Sequence, residues 1–299
     1  MLSGFVLMHV YGAKFRARAT PFWRPYLAAR FARIVPLYLA TLLACFVIFG
    51  AGSLMVGRWP AHLTWQIVII NLCLLQGWPW LFQMSINIPS WSLSVEMFCY
   101  IAVMPLALVL HHRLNRVVSG VVIVALLFAW RAILPTDDSG WVGLTRGITG
   151  FLGGALLHQF HVPGHSGAAV TISFAAFAFL ILQSFAAWGG GISFLPALTF
   201  PFLIQGLASS ARSYVHHFFR SPIMLWFGDI SYSVYLWQGP VFLATHTVVR
   251  PHLVSMPGFV RAAWVVFECA FTLWLSHVSY RRLELPLRNL LKPRPAPLN

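Results

Sequence analysis

Apolar residues in this chain fall into membrane-length blocks rather than into faces. Uninterrupted or nearly uninterrupted runs occupy 34–56, 91–110, 117–135, 143–160, 167–187, 190–210, 226–249 and 259–280. A span of about 20 apolar residues crosses the roughly 30 Å hydrocarbon core as an α-helix. Each run therefore predicts a transmembrane helix, and residues 1–12 predict a partial one. The stretch 65–82, WQIVIINLCLLQGWPWLF, is apolar but short, aromatic and broken by Pro79. It predicts a re-entrant or interfacial segment. No ten-residue segment alternates with period two, so a β-barrel is not expected. The predicted fold is all-α, a polytopic membrane bundle of about eight full spans.

Composition agrees. The chain is 59% hydrophobic and 9% charged, against about 25% charged in soluble domains. Its net charge of +14 could point to nucleic acid, but the basic residues flank apolar spans, which suits topology and anionic lipid head groups. Nucleic acid is not an expected partner; membrane lipids are. Fifteen of the 20 Lys and Arg fall in four loops: Lys14–Arg33, His111–Arg116, Ala211–Arg220 and Arg281–Arg294. The positive-inside bias places all four in the cytoplasm, together with the C-terminus, provided that 65–82 does not cross. The acidic stretch Thr136–Trp141, with Asp137 and Asp138, then lies outside. The same topology makes the chain begin within a membrane helix, so an N-terminal segment is expected to be missing. Linkers are short and no repeat is visible; residues 1–288 read as one domain and 289–299 as a cytoplasmic tail.

Against so apolar a background, polar residues inside spans are informative. Glu96 is the only charge in Trp91–Leu110 and one of six acids in the chain. A carboxylate at membrane depth costs roughly 2.5–3.5 kcal/mol on insertion scales unless it meets a wet cavity or a partner. Ser92, Glu96 and Tyr100 are spaced by four and share a helix face. Glu96 could act as a general base, or could hold an arginine such as Arg146 in place. Gly147, Gly150, Gly153 and Gly154 would let the Arg146 helix approach closely. Arg30 and Arg33 share another face as the chain enters the membrane. Paired guanidiniums suit the phosphates of a cytoplasmic donor such as coenzyme A, and equally suit a plain anchoring role. In GDISYSVYLWQGP, Ser231, Tyr232, Tyr235 and Gln238 could bind a polyol or a thioester, or bond across helices. Glu284, at the exit of the last span, is expected to pair with cytoplasmic arginines such as Arg30 or Arg33.

The four cysteines lie in apolar runs without ligand spacing, and the histidines form no metal pair with a carboxylate. No metal is expected.

Read in order, six pieces resemble the membrane acyltransferase family 3, integral O-acyltransferases of bacterial carbohydrates. They are LSGFVL at 2–7, RFARIVPLY at 30–38, IPSWSLSVEMFCY at 88–100, RGITGFLGGALL at 146–157, GDISYSVYLWQGPV at 228–241 and SYRRLELP at 279–286. The resemblance implies about ten helices, an acyl-CoA co-substrate donated from the cytoplasm, no permanently bound cofactor, and an acceptor hydroxyl near the outer face. It matches Arg30 and Arg33 to the family's paired arginines, Glu96 to its WSLSVE glutamate, Tyr232 and Tyr235 to its tyrosines, and Glu284 with Pro286 to its terminal ExP. A catalytic His on a helix before LSGF has no counterpart in this chain, and Gln238 stands where the family often has His. Gln cannot take up a proton at neutral pH.

The expected function is acyl transfer, in particular O-acetyl transfer from acetyl-CoA, to a cell-surface or secreted carbohydrate or glycolipid at the bacterial inner membrane. Two rivals remain at this level. One is a glycan or lipid transporter that consumes no acyl-CoA; the other is an inactive, truncated homologue.

Overall fold

A computed structural model describes residues 1–16, 23–57, 60, 63–81, 85–132, 140–161, 176–178, 195–209, 214–249, 253 and 255–291. The predicted span at 167–187 and the acidic stretch at 136–141 lie largely outside these residues, as does the tail beyond Leu291. Every regular element among the described residues is helical. We number the α-helices α1 (Leu2–Arg16), α2 (Trp23–Val56), α3 (Trp65–Leu72), α4 (Trp91–Phe98), α5 (Met104–Arg113), α6 (Arg116–Ala132), α7 (Gly140–Leu157), α8 (Leu195–Ser209), α9 (Tyr214–Phe219), α10 (Pro222–Ala244), α11 (Gly258–Ser279) and α12 (Leu285–Leu291).

Among the described residues, three helical stretches are long and apolar enough to cross a membrane: Trp23–Leu54, Ile88–Arg113 and Gly258–Leu291. This is a membrane protein. The other predicted spans within the described residues appear as shorter or less apolar helices. The predicted basic loops are helical in part among the described residues, Ala211–Arg220 holding α9. Residues 23–33 form the first turns of α2, because ARFARI is built of good helix formers. Residues 281–291 continue the last helix through a π turn.

Three π turns interrupt the helices, at Cys99–Val103, Thr245–Val249 and Tyr280–Glu284. The first and the last end two residues before a helical proline, Pro105 and Pro286. A proline lacks an N–H and its ring collides with the carbonyl four residues back, and a wider turn relieves that collision.

The chain divides into two compact units, each made of two segments. Unit 1 comprises Met1–Thr20 and Val95–Leu225. Within it α7 is the central helix, packed against α1, α5, α6 and α8. Its glycines set the distance, as the sequence predicted: a Cβ on Gly154 would run into the Met1 carbonyl, and one on Gly147 into the Val95 side chain. Phe5, Ile123, Leu156 and Leu157 form a buried cluster there.

Unit 2 comprises Pro21–Ser94 and Trp226–Asn299. Here α12 and the preceding π turn pack against α2. The segment 63–81 is the short α3 followed by turns, with Leu74 in the left-handed region at φ 55°. That conformation costs a non-glycine residue about 1–2 kcal/mol. The N–H groups of Cys73, Leu74, Leu75, Trp78 and Leu81 bond carbonyls within the segment, and the Asn71 carbonyl also accepts from the Tyr38 hydroxyl.

Candidate functional site

The polar interior of unit 2 is a hydrogen-bonded network of side chains from α2, the 63–81 segment and residues 85–92. Thr41, Asn71, Gln76, Asn87 and Ser90 have no exposed surface. Tyr38 donates from its hydroxyl to the Asn71 carbonyl at 2.7 Å. Gln76 Nε2 lies 3.2 Å from the Tyr38 hydroxyl and 3.1 Å from Ser90 Oγ. Asn71 Oδ1 accepts the Ile86 N–H at 3.1 Å. Asn87 Nδ2 donates to Thr41 Oγ1 and to the Leu236 carbonyl, each at 3.2 Å. Gly239 of α10 lies against this amide, where a Cβ would collide with Asn87 Oδ1. The sequence reading singled out none of Thr41, Asn71, Gln76 and Asn87. The available signal was their polarity inside apolar stretches, the same signal that marked Glu96.

Helix α10 ties this network to two further features. On its N-terminal side the Tyr232 hydroxyl donates to the Ile34 carbonyl of α2 at 2.8 Å. Ser233 Oγ donates to Glu284 Oε2 at 2.9 Å, and Glu284 is only 4% exposed. Arg33 and Arg288 are the cations acting on that carboxylate. Arg33 was among the expected partners; Ser233 and Arg288 were not foreseen. Arg30 is half-buried and Arg33 exposed, one helical turn apart on α2. One turn further along α10, the Tyr235 hydroxyl bonds the Pro89 carbonyl and Ser92 Oγ, both at 2.6 Å. Ser231, by contrast, is exposed and bonds back to the Gly228 carbonyl at 2.8 Å.

Beyond Tyr235 an open cleft of about 830 Å³ is lined by Ile88, Pro89 and Trp91, by Tyr235, Gln238 and Phe242 of α10, and by Glu268, Cys269 and Thr272 of α11. Ligand pockets typically measure roughly 300–1,000 Å³. Glu268 went unremarked in the sequence, although it is the only acid within Gly258–Ser279.

Unit 1 holds the other predicted site residues. Glu96 Oε1 accepts a hydrogen bond from Ser3 Oγ at 3.3 Å and a short one from the Tyr100 hydroxyl. The face shared by Glu96 and Tyr100 is thus as the four-residue spacing implied. Tyr100 lies within the π turn, a deformation frequent at functional sites. Arg146 lines a small cavity of about 80 Å³ together with Met1, Thr149, Gly150 and Phe200. The bonds of Glu96 go to hydroxyls rather than to that guanidinium.

Unit 1 also gathers histidines that the sequence left scattered. His158 Nε2 lies 3.4 Å from His9 Nδ1, and His158 Nδ1 lies 3.5 Å from His111 Nε2. His161 stacks on His158 with ring centroids 6.1 Å apart. The middle of α1 therefore meets the C-terminal ends of α5 and α7. Burial, and secondarily His9, hold the His161 pKa below the ordinary histidine value. Among the described residues no group of three or more His, Cys, Asp or Glu could hold a metal ion.

A family model described as an acyltransferase domain, acyltransferase 3, matches residues 1–281. The chain belongs to the acyltransferase 3 family. Two curated relatives match part of it. Acyltransferase MdmB of Streptomyces mycarofaciens is 39% identical over 104 residues, 34% of this chain and 24% of that protein. Peptidoglycan O-acetyltransferase OatA of Listeria monocytogenes serovar 1/2a is 28% identical over 99 residues, 33% of this chain and 15% of that protein. The matched region is thus a quarter or less of either relative. No solved structure matches. The stretches Arg30–Tyr38, Pro89–Tyr100 and Gly228–Pro240, which carry the resemblance in the sequence, contribute Tyr38, Ser90, Ser92, Tyr232, Tyr235 and Gln238 to unit 2's polar contacts and cleft.

Proposed function

We propose that this acyltransferase 3 protein moves an acyl group, in particular acetyl, from acyl-CoA to a hydroxyl of a carbohydrate or glycolipid acceptor. It does so at the bacterial inner membrane with its C-terminus in the cytoplasm. The observation that carries the proposal is the course of α10. One helix contacts the arginine-bearing α2 at Ile34 and forms the wall of the cleft at Tyr235 and Gln238. From Tyr232 to Gln238 the axial rise is about 9 Å at roughly 1.5 Å per residue. A donor held at its phosphates by Arg30 and Arg33 can extend its thioester arm over such a distance.

In this reading the two guanidiniums bind donor phosphates through charge-assisted hydrogen bonds. The acceptor hydroxyl attacks the thioester carbonyl, the new C–O bond forms as the C–S bond breaks, and the hydroxyl proton passes to the departing thiolate. Tyr232, Tyr235 and Ser92 hold α10 against α2 and the 85–92 segment, and so keep donor and acceptor in register. Glu284 fixes the arginine end through Ser233. Gln238 presents an amide rather than a base to the acceptor. Glu96 and Tyr100 order the polar interior of unit 1.

The experiment is acyl transfer from labelled acetyl-CoA in membranes carrying the full-length protein. Arg30→Ala with Arg33→Ala should raise the donor KM tenfold or more. Normal acylation by that double variant would refute the donor role.

A further inference from the structure

A carboxylate inside a membrane-length helix is by default a functional candidate, and the reaction just described leaves Glu268 unused. It lies near the middle of α11, on a stripe that continues through Thr272, Ser276 and Ser279, all three buried. The stripe has the spacing of one helix face, so Glu268 belongs to the inward side of α11. Thr272 donates to the Glu268 backbone carbonyl at 2.8 Å, not to its carboxylate. Among the described residues neither that carboxylate nor the Gln238 amide has a hydrogen-bond partner, yet both line the same cleft. Gln238 is exposed and Glu268 half-buried, and both hydrogen-bonding groups are presented to the same open cleft. Trp91, Tyr235 and Phe242 line it beside them.

Those groups select a ligand chemistry. No Lys or Arg lines the cleft, and a carboxylate repels phosphate, so donor phosphates do not belong there. A neutral, polyhydroxylated ring supplies what is missing. Its hydroxyls donate to the carboxylate and exchange bonds with the amide, while its C–H faces pack on aromatic rings. The volume of about 830 Å³ accommodates one to two such rings.

We propose that Glu268 and Gln238 form a hydroxyl-recognition subsite that positions a neutral sugar unit of the acceptor in the cleft between α10 and α11. This rests on the acyl-transfer reading for its biological sense, but not for its test. Glu268 is a positioning residue here, and no proton transfer is assigned to it.

Cys269 lines the same cleft and is exposed, whereas Cys45 and Cys99 are buried; Cys73, the other exposed cysteine, lies outside the lining. The full-length protein in nanodiscs is treated with a water-soluble maleimide, with and without triacetylchitotriose, maltotriose or choline, and labelling is read by mass spectrometry at each cysteine. The expected result is labelling of Cys269 that slows at least fivefold with a neutral oligosaccharide, while Cys73 is unaffected. Glu268→Gln and Gln238→Ala should each weaken that protection, and Glu268→Asp should restore part of it. In acyl-transfer assays Glu268→Gln should raise the acceptor KM tenfold and leave the donor KM unchanged. Protection by an oligosaccharide without acyl transfer would uphold the subsite and refute the reaction. Three results overturn the subsite: no labelling of Cys269, which would mean a lipid-filled cleft; protection by choline alone; or acyl transfer with an unchanged acceptor KM in both variants.

Discussion

The Tyr235 hydroxyl lies 2.6 Å from Ser92 Oγ and 2.6 Å from the Pro89 carbonyl. One phenol on α10 therefore fixes the turn that starts α4, 143 positions away from Ser92 in sequence. Removing the hydroxyl leaves the Pro89 carbonyl and Ser92 without this partner, at a cost of about 1–3 kcal/mol for an unsatisfied buried group. Tyr235→Phe should lower the thermal midpoint measurably in detergent. Ser92→Ala added to it should cost less than the two single changes added together, because they share one bond. Fully additive losses in a thermal-shift cycle would show that the two hydroxyls do not act as a unit.

Gly239 and Asn87 make a second pair that tests the geometry. A methyl at 239 would collide with the Asn87 amide, and overpacking of this kind costs about 1–3 kcal/mol. Gly239→Ala should therefore destabilise the protein strongly in the wild-type background and less so together with Asn87→Ala. Equal losses in both backgrounds, measured by unfolding in detergent, would contradict the contact.

How far this was legible depends on where the signal sits. Glu96 was legible because a single acid in an apolar run is conspicuous, and its bond to Tyr100 follows from a spacing of four. The close approach of α7 was legible from its glycines. The network of Thr41, Asn71, Gln76, Asn87 and Ser90 was not, since no helical period links residues drawn from three segments. The same holds for the histidines. His9, His111 and His158 meet because the ends of α5 and α7 meet the middle of α1, with separations of 149 and 47 positions. The 23–33 stretch misled for another reason: its charges read as a loop, while its backbone propensity made it the start of α2.

Protonation of the histidine cluster gives a pH prediction. Burial, and then His9, hold the His161 pKa below its ordinary 6.5. As pH falls below about 6.5 the unfolded chain takes up a proton at this position before the folded one does, so folding loses stability with acidification. The loss levels off once pH passes the lowered folded value. Thermal midpoints at pH 7.5 and 5.5 should thus differ less for His161→Gln than for the wild type. An identical pH dependence in the variant would remove His161 from the account.

Glu96 separates charge from hydrogen bonding. Glu96→Gln keeps an acceptor for Ser3 and Tyr100 and should fold with a thermal midpoint close to wild type. Glu96→Ala removes the acceptor that Ser3 and Tyr100 share and should lose about 1–3 kcal/mol. If the charge contributes to catalysis, Glu96→Gln should lower acyl transfer at least tenfold despite intact folding; unchanged transfer would reduce Glu96 to a packing role.

Acyl transfer itself is tested by the appearance of an acyl ester on a glycan acceptor from labelled acetyl-CoA in membranes containing this protein. Ester formation should consume acetyl-CoA one for one, with a donor KM raised tenfold or more by Arg30→Ala and Arg33→Ala together, the scale of one or more lost charge-assisted bonds of about 1.5–3 kcal/mol. Movement of a glycan or lipid across the membrane with no acetyl-CoA consumed would contradict it.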